Sequence, residues 1–177
     1  MAVAAARLTL VLGGARSGKS RHAEDLVTGW PPPWIYVATA QALDDEMAQR
    51  IAAHRARRDQ DWRTVEASHD LARAIDEACG APALVDCLTL WLTNLMLADA
   101  DLETEISRLE DTLGRARGPV VLVANEVGLG IVPDNALARQ FRDAAGRLNQ
   151  RIAARANRVV MMVAGLPLEV KDDKAGR

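Results

Sequence analysis

The sequence predicts an α/β fold on a largely parallel sheet, and two observations carry that expectation. Short apolar runs recur at 8–12, 34–38, 83–86, 119–124 and 158–163, each brief enough to be a buried strand. Segments of helical composition separate them, and strands alternating with helices build parallel βαβ units. The chain has 177 residues, of which 49% are apolar, with no linker or internal repeat. Residues 1–177 therefore read as one globular domain that buries roughly two-thirds of its unfolded surface.

Leu8 to Leu12 forms the first predicted strand. The segment after it is the one around which the chain is organised: Gly13-Gly14-Ala15-Arg16-Ser17-Gly18-Lys19-Ser20 fits G-x-x-x-x-G-K-[ST]. Arg21 to Val27 is helical in composition and stops at Gly29 before three prolines, so strand, loop and helix stand in the order a phosphate-binding loop needs. Glycines let backbone N–H groups turn onto phosphate oxygens, and the helix adds the positive end of its dipole. Lys19 has the reach for the β- and γ-phosphates, and the Ser20 hydroxyl can ligate Mg²⁺. The loop is expected to bind a nucleoside triphosphate, with Lys19 catalytic.

Trp34 to Ala38 is the second predicted strand, and Thr39-Ala40 follow its carboxyl end, where ligands collect in an open parallel sheet. Asp44 to about Arg58 reads as a helix, acidic at its start and basic at its end. Met47, Ile51 and His54 share a face of it. Taken alone, that spacing suits a core or partner-packed histidine better than a catalytic one. The basic run Arg55, Arg57, Arg58 adds to the case for chemistry without deciding it, because cations neutralise phosphates and favour a neutral, nucleophilic imidazole.

Trp62 to Glu66 is a short strand ending in a carboxylate. Ser68 reads as the N-cap of a helix running to Cys79, with His69 exposed in its first turn. Ala83 to Asp86 ends in an acid at the position where phosphate-loop proteins put a Mg²⁺-orienting carboxylate, and Glu126, just after the strand at 120–125, is its rival. Leu88–Met96 and Asp101–Arg115 read as helices, the second with a solvated charge pattern. Pro119–Ala124 is the most hydrophobic strand and is expected at the centre of the sheet. Asp134 is expected to cap a helix to about Ala156, and Arg158–Val163 is the last strand, before a frayed, charged tail. Cys79 and Cys87 form neither a disulfide framework nor a metal cluster and are expected to be buried free thiols.

Bulk composition excludes other classes. A formal charge of −2 gives no case for nucleic-acid binding. No apolar stretch is long enough to span a membrane and no signal-peptide pattern opens the chain, so a cytoplasmic protein is expected.

The motifs together are narrower than the loop alone. The loop at 13–21, Tyr-Val-Ala-Thr-Ala at 36–40, and Asp-Asp-Glu-Met-Ala-Gln-Arg-Ile at 44–51 stand in order, followed by His54, Arg58, Trp62-Arg-Thr64 and Glu66. Then come Asp86-Cys-Leu-Thr-Leu-Trp-Leu-Thr-Asn94, the segment Asn125 to Asn135, and Phe141 to Gln150. From Leu8 to Leu168 the chain resembles the bifunctional adenosylcobinamide kinase/adenosylcobinamide-phosphate guanylyltransferases of cobalamin biosynthesis.

The resemblance implies a RecA-like P-loop NTPase fold, three-layer α/β/α, assembled as a homotrimer. It implies two reactions: γ-phosphoryl transfer from ATP or GTP to adenosylcobinamide, then GMP transfer from GTP to adenosylcobinamide phosphate. The second would run through a guanylyl-histidine at His54. Carried over by position, nucleotide contacts come from Gly13 to Ser20, from Ala38, Thr39 and Ala40, from Arg55, Ala56, Arg57 and Arg58, and from Glu66 and Asp86; Ser20 and Asp86 hold Mg²⁺. Because the loop holds the β- and γ-phosphates, the histidine helix must swing or pack near the nucleotide to reach the α-phosphate, with the corrinoid entering from a neighbouring subunit. This sequence departs from the family pattern at Asp59, where proline is usual, so the helix can run on. The alternative is a small-molecule kinase that lacks guanylyl transfer. A GTP switch is disfavoured, because the sequence has no Asn-Lys-x-Asp.

Overall fold

The computed structural model describes residues 8–42, 45–56 and 58–173, with only the backbone described for Glu46, Met47, Arg50 and His54. The elements run β1 (Leu8–Gly13), α1 (Lys19–Thr28), β2 (Trp34–Ala38), α2 (Asp45–Ala56), β3 (Trp62–Glu66), α3 (Leu71–Glu77), β4 (Ala83–Asp86), α4 (Leu88–Leu97), α5 (Leu102–Arg115), β5 (Val120–Asn125), α6 (Ala136–Arg155), β6 (Arg158–Val163) and β7 (Leu166–Asp172). The strands form one sheet in the order β3-β2-β4-β5-β1-β6-β7. All neighbours are parallel except β6 and β7. The hydrophobic β5 holds the centre, as its composition predicts.

Alternation along each strand divides the core in two. Leu10, Val85 and Leu122 face a large cluster with α3, α4, α5 and α6, anchored by Trp91, Leu109, Leu148 and Ile152. Val11, Leu84 and Val123, one residue on or back, face a smaller cluster with Ala23 and Val27 of α1. The three layers are therefore uneven, with the helix that follows the glycine loop covering the thinner side of the core. Both faces of β1, β4 and β5 are buried, which explains why these strands read as unbroken apolar runs.

Several local expectations change. The N-cap of α3 is Asp70, whose carboxylate accepts from the Arg73 N–H, while Ser68 bonds the His69 ring instead. His69 is exposed, as expected, but precedes the helix. Asn135, not Asp134, caps α6 by accepting from the Ala138 N–H. Helix α2 stops at Ala56 rather than running on to Arg58, whose guanidinium stacks on the Tyr36 ring and draws the chain back to the sheet; Asp44 and Arg57 lie outside the described residues.

The tail is not frayed as far as Asp172. Leu166–Asp172 pairs antiparallel with β6 through a turn in which Ala164 and Gly165 take positive φ. Cys79 is exposed at a positive φ of 51°, where the helix has already ended, and only Cys87 is buried. The polar side of α5 is more than a solvated face. Glu110 is buried between Arg151 (2.6 Å) and Arg155 (3.3 Å) of α6, and Arg151 also reaches Glu103 at 2.7 Å. Hydrogen bonds from Arg151 hold the Glu110 carboxyl below its usual range.

Candidate active site

The loop from Gly13 to Ser20 joins β1 to α1 in the geometry its glycines dictate. Gly18 takes φ +92° immediately before the first turn of α1, a conformation that costs glycine nothing. Gly13 is fixed by close approach: a Cβ there would stand 2.6 Å from Ser17 Oγ and 2.8 Å from the Met162 carbonyl. Helix α1 begins at Lys19, so Lys19 and Ser20 sit in its first turn, at the positive end of the dipole. Lys19 is buried, and its Nζ donates to the Gly14 carbonyl at 2.6 Å, which folds the ammonium over the loop. Burial pulls its pKa down, against the opposing fields of Cys87 and Asp86.

Facing the loop is a cavity of about 710 Å³, lined on one side by Ala15 to Arg21 and on the other by β2, β3 and α2. Asp86 ends β4 in its wall, beside Ala38 of β2. The Tyr36 hydroxyl donates to Asp86 Oδ2 at 3.1 Å. Arg58 Cζ stands 3.5 Å from the centre of the Tyr36 ring, and Arg55 pairs with the exposed Glu66 at 3.0 Å. Burial pushes the Tyr36 phenol far above its usual pKa and the Cys87 thiol up to about 11, with Asp86 adding to both. Both stay protonated at neutral pH, so the cavity's one lining thiol is no nucleophile.

The structure brings most of the expected residues together. Ala15 to Ser20, Ala38, Ala40, Arg55, Arg58, Glu66 and Asp86 line one cavity. Gly13 and Gly14 shape the loop behind them. Of the two rival acids, Asp86 faces the cavity, while Glu126 Oε1 accepts from the Gly128 N–H of its own loop. Ala56 is exposed outside the lining, and Arg57 is among the residues not described. His54 lies on α2 between Ile51 and Arg55, both of which line the cavity across from the loop.

Thr39 is fully buried and turned away from the cavity. Its Oγ1 donates to the Cys87 carbonyl at 2.8 Å and accepts from the Cys87 N–H at 2.7 Å. Asn94 of α4 completes this clamp, giving Nδ2–H bonds to the Thr39 and Ser68 carbonyls at 2.8 and 2.9 Å. Sequence reasoning missed Tyr36, Thr64 and Asn125 as lining residues. Tyr36 and Thr64 were legible in principle, since Tyr36 shares a strand face with Ala38 and pairs with Thr64 across the sheet.

A family model described as cobinamide kinase / cobinamide phosphate guanyltransferase matches residues 9–170. The chain belongs to this family. The bifunctional adenosylcobalamin biosynthesis protein CobP of Pseudomonas aeruginosa is 51% identical over 168 residues, covering 93% of this chain and 97% of that one. The CobU proteins of Salmonella typhimurium and Escherichia coli, similarly named, are each 45% identical over 181 residues, covering 93% of this chain and 99% of theirs. A solved protein from Pyrococcus horikoshii OT3 superposes with a TM-score of 0.55 at 9% identity, over 94% of this chain and 86% of that one, a likeness of fold alone. This chain is accordingly a bifunctional enzyme, a cobinamide kinase and cobinamide phosphate guanylyltransferase on a P-loop NTPase-like fold. The plain-kinase alternative falls with that membership.

Proposed function

We propose that both transfers take place in the cavity between the glycine loop and α2, with adenosylcobinamide and then adenosylcobinamide phosphate as acceptors. The observation that carries this is the cavity itself, since the phosphate-gripping loop and the two α2 residues flanking His54 form one wall system. In the first step the backbone N–H groups of the loop and the Lys19 ammonium hold the β- and γ-phosphates of ATP or GTP, while a hydroxyl of the corrinoid's side arm attacks the γ-phosphorus. In the second step a neutral His54 nitrogen attacks the α-phosphorus of GTP, the bond to the bridging oxygen breaks, and pyrophosphate leaves. The phosphate of the first product then attacks the same phosphorus, breaking the P–N bond and restoring the imidazole.

Two buried polar atoms without partners support an anionic occupant: Ser17 Oγ in the loop and Arg58 Nη1. The donor set also fits Mg²⁺, because Ser20 and Asp86 both line the cavity with hard oxygens that would hold the ion. Bound there, Mg²⁺ would withdraw charge from the phosphates.

A homotrimer is part of the reading. Strand β7 ends the sheet with Leu166, Leu168 and Val170 exposed, an uncovered apolar edge of the kind that subunits cover. No described helix is long and apolar enough to cross a membrane, and the need for GTP supports work in the cytoplasm. The test is intact-protein mass after incubation with GTP and Mg²⁺. A gain of one GMP, acid-labile and absent in His54→Ala, is expected. No adduct in the wild-type protein would overturn the covalent route, and an adduct persisting in His54→Ala would move the nucleophile elsewhere.

A further inference from the structure

We propose that Tyr36 is a positioning residue for the metal-bearing carboxylate, its hydroxyl fixing Asp86 and its ring seating Arg58. The inference rests on the reading of Asp86 as a Mg²⁺ ligand. Tyr36 stands on β2, next to β4, and only 6% of its surface is exposed. Its hydroxyl donates to Asp86 Oδ2 at 3.1 Å, a charge-assisted bond that fixes one carboxylate oxygen.

The ring itself is held on two sides. The Arg58 guanidinium covers one face at 3.5 Å, and the Trp62 ring meets it edge-on, with centroids 6.2 Å apart and planes at 76°. A phenol this enclosed has no freedom to swing its hydroxyl elsewhere. One side chain thereby links the acid at the loop end of the cavity to an arginine beyond the end of the histidine helix, and it does so without touching a reacting atom.

The test is Tyr36→Phe, which deletes one oxygen and leaves the ring for Arg58. The probe is Mn²⁺ binding to the GDP complex, read from the free-ion EPR signal. Wild type, Tyr36→Phe and Asp86→Asn are compared, and GDP affinity is measured separately without metal. The inference expects Tyr36→Phe to weaken Mn²⁺ binding about tenfold, as loss of one hydrogen bond to a charged group does. Metal-free GDP affinity should stay within about twofold of wild type. In turnover, the half-saturating Mg²⁺ concentration should rise and kcat fall, while KM for GTP holds.

Three results overturn it. If Tyr36→Phe binds Mn²⁺ as wild type does while Asp86→Asn does not, Tyr36 has no positioning role. If Asp86→Asn itself binds Mn²⁺ normally, the reading of Asp86 fails and the inference with it. If Tyr36→Phe weakens GDP and Mn²⁺ alike and lowers the urea midpoint in proportion, the residue is structural only.

Discussion

Replacing Thr39 by valine isolates the clamp that fixes the strand ends around the cavity. Valine matches threonine in shape, so no void opens, but the hydroxyl that bonds both the N–H and the C=O of Cys87 is lost. The site is fully buried, so water cannot take its place. The Cys87 carbonyl keeps its bond from the Trp91 N–H at 3.2 Å, so only the Cys87 N–H is left unpaired, which predicts a loss of about 2 kcal/mol. For a chain of this length that lowers Tm by roughly 4–8 °C. Thr39→Ser keeps both hydrogen bonds and gives up one methyl, so it should cost only about 1 kcal/mol. Urea unfolding of the three proteins reads the difference directly. Because Cys87 follows Asp86 and the Thr39 N–H also meets the Asp86 carbonyl at 3.3 Å, the valine variant should lose kcat beyond its loss of stability. A valine variant as stable as the serine variant would refute the reasoning.

Other outcomes follow from the same geometry. Lys19→Met should lower kcat for both transfers by roughly two to three orders of magnitude, since it removes the cation over the loop from each; phosphoryl and guanylyl assays run side by side would expose any uncoupling. Gly13→Ala should weaken nucleotide binding and stability together, because its methyl meets a backbone carbonyl that cannot yield cheaply; calorimetry with GDP checks both. Glu110→Gln should cost roughly 2–3 kcal/mol at neutral pH. The Glu110 carboxyl is held low in the folded state, so its contribution is present above the unfolded carboxylate pKa and disappears as pH falls through the folded value. The gap between wild type and variant should therefore close under acid, as unfolding midpoints between about pH 3 and 7 would record.

The parts of the fold written in short-range pattern were legible. The glycine loop announces itself because its chemistry needs fixed residue types at fixed spacing, and β5 announces itself because both of its faces are buried. What escaped the sequence depends on contacts between distant segments. Nothing in Leu166–Asp172 marks it as a strand, since its side chains are mostly exposed; pairing with β6 makes it one. Thr39 reads as a candidate nucleotide contact and Asn94 as one residue of an apolar helix, yet a 55-residue separation closes into a hydrogen bond. Capping residues were misplaced by one or two positions because Ser68 and Asp70, or Asp134 and Asn135, offer the same acceptor chemistry. The site was legible where the motifs assign a residue a nucleotide contact, and less so where Thr64 and Asn125, quoted in the motifs but given no role, enter the wall from β3 and β5.

Strand β1 stands between β5 and β6, so the loop it carries has both of its flanking walls encoded far downstream. The Leu8 N–H is bonded to Asn157 Oδ1, 149 residues away. During synthesis the phosphate-binding segment emerges long before its neighbours in the sheet: it has no partner strand until Val120–Asn125 has been made and no second one until Arg158–Val163 follows. At the roughly 5–20 residues per second of translation, that interval spans many seconds in which the apolar run Leu8–Leu12 is unpaired. A ribosome-bound chain ending before β6 should hold no nucleotide, and binding switches on only once Arg158–Val163 has emerged.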